Sequence, residues 1–223
     1  MDKKYVALVG DIIGSAKIKN RGIYGKKLAR SIEEANRRFE AKLFAKCMVV
    51  KGDEIAGVLK NIETTYDVAR EIQEHLLPVK IRFAAVYDDL DVALETRNAS
   101  QIDGAAFKRA DSHLEKLKKK ARQTVRNTKK PFDYFYFDLG KKSLDREITT
   151  IANLTAIIKY SHWKGKKDII YSYEKRGKQE AVAQKLDITQ QAVSKALRRA
   201  HWKEVRDAEK LINELLMRYT KNE

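Results

Sequence analysis

Two aspartates follow glycines at the ends of apolar runs, Asp11 in VALVGDIIGS and Asp53 in VVKGDEIAGV. Paired carboxylates of this kind invite a divalent cation. Mg²⁺ takes one or two protein carboxylates and completes its sphere with water and phosphate oxygens, so Asp11 and Asp53 are read as its ligands. Gly10 and Gly52 would let the backbone approach a phosphate, with the amides of Ile12 and Ile13 facing it. The plainer reading gives each aspartate a local turn or a helix cap. Glu54 can face either side of the hairpin that carries Asp53.

A second constellation carries different chemistry. In GKQEAVAQKLDITQQAVSKALRRA, from Gly177 to Ala200, Val182, Ala183 and Leu186 give one helix an apolar face. Asp187, Ile188 and Thr189 form a short turn in which Ile188 is the plug, and the Thr189 hydroxyl caps a second helix. There Val193, Ala196 and Leu197 point inward, while Gln190, Gln191, Ser194, Lys195, Arg198 and Arg199 point outward. The spacing predicts a helix-turn-helix at 178–200. Its outward set suits the base edges and phosphates of double-stranded DNA. No acid occurs from Thr189 to Lys203. The alternative is an ordinary amphipathic pair with a solvated basic face.

The elements that must hold these residues follow from periodicity. Tyr5 to Gly10 reads as a buried strand, and Ile23 to Ala45 as a helix through Leu28, Ile32, Ala35, Phe39 and Leu43. Cys47 to Lys51 and Ile55 to Leu59 flank the Gly52-Asp53-Glu54 turn as a hairpin. Thr64 to Leu77 is a helix ended by Pro78, and Val79 to Tyr87 is a strand. A further helix carries Phe107, Ala110, Leu114, Leu117 and Ala121, and Asp133 to Leu139 is the last strand, its aromatics read as core. This order predicts an α+β fold: a ferredoxin-like sheet with helices on one face, in a domain of residues 1–140, then an all-helical domain of residues 141–223.

Charge separates the same two halves. Residues 1–115 hold 20 basic and 18 acidic residues, whereas 116–130 hold 8 basic and none acidic, and 141–223 hold 19 and 11. A polyanion is the natural partner of the second half, and the run Lys116 to Lys130 is either a further contact or a solvated face. The single Cys47 excludes an internal disulfide. Tyr5 to Gly10 is too short for a signal core or a membrane span, which predicts a cytoplasmic protein without membrane contact. Walker loops, dinucleotide fingerprints, zinc spacings and nucleophile elbows are absent. His75, His113, His162 and His201 are dispersed and read as satisfied or solvated imidazoles, and no catalytic residue is assigned.

VALVGDIIGS with KGDEIAGVL resembles the paired metal-binding motifs of class III nucleotidyl cyclases and GGDEF-type diguanylate cyclases, which share a palm-like core. Taken whole, with GDIIGSAKIKNR, the GDE hairpin, DGAAFKRAD and a C-terminal helix-turn-helix, the chain is similar to the SatD family of bacterial proteins. The cyclase likeness implies that Asp11 and Asp53 are metal ligands, that Ile12 and Ile13 lie near a triphosphate, and that Lys108 or Arg109 contacts phosphate. It also implies a dimer. Lys108 and Ser112 stand where cyclases carry an Asn and an Arg, and Lys51 replaces the first glycine of the GGDEF signature. The primary expectation is therefore a DNA-binding regulator whose first domain binds a nucleotide with Mg²⁺. The alternatives are a metal-dependent enzyme forming or breaking phosphodiester bonds, and a nonenzymatic scaffold. A homodimer is expected, with Val205, Ala208, Ile212, Leu215 and Tyr219 either forming its seam or closing the domain they belong to.

Overall fold

A strand that is apolar on both sides has to be covered twice. In β1 (Lys4–Ile12) every residue from Tyr5 to Ile12 is buried. The computed structural model describes residues 4–18, 20–127 and 133–221. In it β1 is the centre of a sheet of order β2-β3-β1-β4-β5, formed with β2 (Leu43–Lys51), β3 (Glu54–Leu59), β4 (Ile81–Asp89) and β5 (Phe135–Asp138). All neighbouring strands are antiparallel except β4 and β5, which are parallel.

Val6, Leu8 and Ile12 turn to the face covered by α1 (Arg21–Arg38) and α2 (Thr65–Leu76). Tyr5, Ala7 and Val9 turn to the opposite face, where α3 (Ala105–Asn127) packs Ala106, Phe107, Ala110 and Leu114. The expected sheet with helices on one face is thus corrected to a sheet covered on both. The physical cause is the unbroken run YVALV, whose alternate side chains present apolar surface to both faces. The side chain of Ala121, and residues 128–130 of the basic run, lie outside the described residues.

The long first helix is also corrected. α1 stops at Arg38, a 3-10 turn spans Glu40–Lys42, and Leu43 pairs with Leu59 as the first residue of β2. Leu43 continues the helical spacing, yet pairing with β3 claims it, since tertiary hydrogen bonding outweighs a local periodicity.

α4 (Lys142–His162) seals the free edge of β5. The Asn153 carboxamide accepts from the Phe135 amide at 3.0 Å and donates to the Phe135 carbonyl at 2.9 Å, while the Thr149 hydroxyl accepts from Phe137 at 3.1 Å. Edge amides that would otherwise pair with another chain are satisfied internally. α4 and α8 (Trp202–Lys221) add Ile148, Ala152, Ile212 and Leu216 to the core under α2, so that core crosses residue 140 without a break. Val205, Ile212, Leu215 and Tyr219 are buried and Ala208 is half-buried, so this stripe closes the chain's own fold and is not the free seam of a dimer. α5 (Lys167–Arg176), α6 (Gln179–Leu186) and α7 (Gln190–Arg199) enclose a smaller core of Trp163, Ile170, Val182, Val193 and Leu197.

Candidate functional site

Strand register sets Asp11 between Glu54 of β3 and Arg82 of β4. All three residues lie on the face beneath α3, two positions from Val9, Ala56 and Ala84. There α3 lays Lys118 across the acids, its Nζ 2.9 Å from Glu54, 3.0 Å from Glu115 and 3.5 Å from Asp11. Arg82 Nε approaches the other Asp11 oxygen at 3.5 Å. Burial pushes the Asp11 carboxyl above its ordinary value against the pull of Lys118 and Arg82. Burial works to lower the Lys118 ammonium, and the hydrogen bonds to Glu54 and Glu115 with the charge of Asp11 outweigh it and raise it. A protein cation therefore stands at the carboxylate where the sequence reading placed Mg²⁺.

Asp53 sits in the two-residue turn between β2 and β3, where Gly52 takes φ +59°, a conformation glycine adopts without strain. It lines a cavity of about 390 Å³ with Ser15, Ala16 and Tyr24. The Tyr24 hydroxyl is buried and makes no hydrogen bond among the described residues. Burial, then the charges of Asp53 and Asp11, push its phenol above the ordinary range. Among the described residues no group of three or more His, Cys, Asp or Glu is arranged to hold a metal ion.

One amide of the expected phosphate cradle is engaged within the sheet. The Ile13 amide donates to the Lys80 carbonyl at 2.9 Å, and Ile12 is 2% exposed within the ladder with β4. Gly10 makes room for a ring instead of a phosphate, because a Cβ there would meet Phe83 at 2.7 Å. The strand outruns Gly10 and ends at Ile12. Arg109 pairs with Asp88 and, at 2.5 Å, with Asp138. Asp88 lies opposite Tyr5, and the rise from Tyr5 to Asp11 along β1 is about 20 Å, so Arg109 and the exposed Lys108 beside it stand at the other end of the sheet.

The residues of the second constellation do converge. The Thr189 hydroxyl caps α7 by accepting from the Ala192 amide at 3.1 Å, and Val193 and Leu197 are buried beneath it, with Ala196 half-buried. Gln190, Gln191, Lys195, Arg198 and Arg199 are exposed, and Ser194 is half-buried. Gln190 Nε2 donates to Gln179 Oε1 at 2.9 Å, tying together the first residues of α7 and α6. Ile188 is 36% exposed, so it does not plug the turn as expected. Asp187 instead takes the left-handed conformation at φ 52°, and the Ile188 amide donates to the Ala183 carbonyl at 3.1 Å.

The model of the SatD family matches residues 5–216. The chain belongs to the SatD family. No curated protein matches it. The SatD match runs from β1 into α8 and so takes in both cores. No helix among the described residues of this SatD-family chain is long and apolar enough to cross a membrane.

Two features of this SatD-family chain lie outside the expectations from its sequence. Lys118 was counted within the basic run, although it follows Leu114 by four residues on the inward stripe of α3, which was the available signal. The other is a buried ionic cluster between α2 and the C-terminal helices. Lys159, fully buried, bonds Glu74 at 2.6 Å and also Glu209, while Arg206 holds both glutamates and Arg70 reaches Glu209 at 3.2 Å. Burial works to raise both carboxyls, yet Lys159 and the arginines outweigh it and hold them below the ordinary range. No local pattern announces such a cluster, because its members come from three helices far apart in sequence.

Replacing Lys118 by alanine is expected to lower stability and to make melting responsive to Mn²⁺, with a rise of about 3 °C at about 5 mM, while the unmodified chain does not shift. Thermal melts with and without Mn²⁺ measure this. A wild-type rise as large as the variant's would mean that the ammonium yields to a metal.

Proposed function

We propose that this SatD-family protein is a DNA-binding regulator in which residues 178–200 form a helix-turn-helix and α7 reads the major groove. The observation that carries the reading is the surface of α7, where amides and cations occupy one exposed face of a helix fixed from below by Val193 and Leu197. Gln190, Gln191 and Ser194 meet base edges in this reading, and Lys195, Arg198 and Arg199 hold phosphates. The antiparallel order β2-β3-β1-β4, with α1 and α2 on one face, supports a ferredoxin-like unit for residues 1–140, followed by a DNA-binding part at 141–223. One such module contacts few base pairs, so the protein acts as a homodimer on half-sites about 34 Å apart.

Because α4 and α8 are built into the core under α2, the reagent is the full chain. Fluorescence anisotropy with duplex DNA at two salt concentrations is expected to show binding that weakens steeply with salt, as phosphate contacts release counterions. No binding even at low salt removes the proposal. Sedimentation of the complex reads the number of copies per duplex.

A second reading keeps the first half as a nucleotide site, and the unpartnered Tyr24 hydroxyl in the cavity beside Asp53 favours it. Ser15, Ala16 and Asp53 would line the ligand, and Mg²⁺ would reach Asp11 only by displacing Lys118. Incubation with Mg²⁺ and each nucleoside triphosphate, analysed for cyclic products and pyrophosphate, decides whether the site is an enzyme's.

A further inference from the structure

A cleft of about 750 Å³ opens between the sheet half and the helices that flank α6 and α7. Arg38 of α1 and His75 of α2 form one wall. Tyr171, Tyr173 and Lys175 of α5, with Trp202 of α8, form the other. The volume is that of a small-molecule site.

The acids of this cleft are already engaged. Glu74 is held by Lys159 and Arg206, Glu71 by Arg38 at 2.6 Å, and Glu174 by Arg206 and by the Trp202 indole N–H at 2.8 Å. Donors remain unused on Tyr171, Arg38 and Lys175. The Tyr171 hydroxyl is buried and makes no hydrogen bond among the described residues. His75 donates from Nδ1 to the Glu71 carbonyl at 2.9 Å, so the Nε2 of the neutral ring is an acceptor and His75 gives the cleft a ring face. Arg38 keeps 55% of its side chain in solvent, and Lys175 is exposed and forms no ion pair among the described residues.

The rings set the shape. His75 and Tyr171 stack with centroids 5.8 Å apart, and Tyr173 meets Trp202 edge to face at 4.9 Å. Aromatic walls select a flat ligand, and the surplus of donors selects negative charge on it. We propose that this cleft binds a planar aromatic anion, a ring carrying a carboxylate or a phosphate, as an effector of the DNA-binding unit.

The effector role rests on the DNA-binding reading, whereas the ligand site does not. α5 ends in the Gly177 cap just before α6 begins at Gln179, and Trp202 follows shortly after the end of α7 at Arg199. A ligand clamped between Arg38 and His75 on one side and Lys175 and Trp202 on the other therefore bears on both ends of the α6–α7 pair. By linkage, ligand and DNA change each other's affinity by the same factor.

The test is calorimetry on the full chain with two probes, adenosine 5′-monophosphate for the phosphate source and 4-hydroxybenzoate for the carboxylate. At least one is expected to bind with Kd below about 1 mM. Tyr171→Phe removes a hydroxyl without changing ring volume, and Lys175→Gln removes an exposed charge; each is expected to weaken binding about fivefold or more. A saturating probe should shift DNA affinity about fivefold. No heat from either probe at about 5 mM, or binding indifferent to both substitutions, overturns the site. DNA binding in the absence of any ligand binding discards the cleft alone. Ligand binding that falls in both variants, in a chain that ignores DNA, keeps the cleft and discards the regulator.

Discussion

Replacing Lys159 by methionine is expected to destabilise the protein by about 3–5 kcal/mol, the cost of leaving buried charge without its partner. Methionine nearly preserves volume, so the loss reports charge and not packing. The ammonium it removes is fully buried, 2.6 Å from Glu74 and in contact with Glu209, which also accepts from the Tyr66 hydroxyl at 2.9 Å. Arg206 and Arg70 remain to share two carboxylates that three cations held before. Denaturant unfolding of the full chain measures the difference. A loss below about 1 kcal/mol would mean that the arginines suffice.

The pH dependence has a definite sign. Glu74 and Glu209 are held below their ordinary 4.5, so the stability they contribute is present above that pH and fades as pH falls through their lower folded values. The gap between wild type and Lys159→Met should therefore narrow below about pH 4.5 as the carboxylates take up protons. A gap that widens in acid would contradict the ionic account.

The combined substitution Lys195→Ala, Arg198→Ala and Arg199→Ala is expected to weaken duplex binding about 100-fold at low salt and to reduce the salt slope by about three, one for each phosphate contact. All three side chains are exposed, so melting should stay within about 0.5 kcal/mol of wild type. Gln190→Ala and Gln191→Ala should act differently, relaxing sequence preference by about 1–3 kcal/mol at the base each one reads. Anisotropy with matched and mismatched duplexes separates the two classes. Unchanged affinity in the triple variant would move the DNA contact away from α7.

Features that depend on neighbours within a few residues were legible along the chain. The hairpin around Gly52, the end of α2 before Pro78, and α6 and α7 with the Thr189 cap all follow from turn chemistry and short-range periodicity. The same locality explains the failures. Leu43 fits a helical spacing and a strand equally, and only its pairing with Leu59 chose the strand. Tertiary structure alone decided that α3 covers the second face of the sheet, that Lys118 neutralises Asp11, and that Arg109 stands at the opposite end from it. It also turned the stripe of α8 inward and joined Lys159 to Glu74 and Glu209. Such charge pairs unite residues tens of positions apart, and their partners depend on which sheet face a helix covers and on which way it runs. Periodicity encodes neither of these; burial of the remaining apolar surface does.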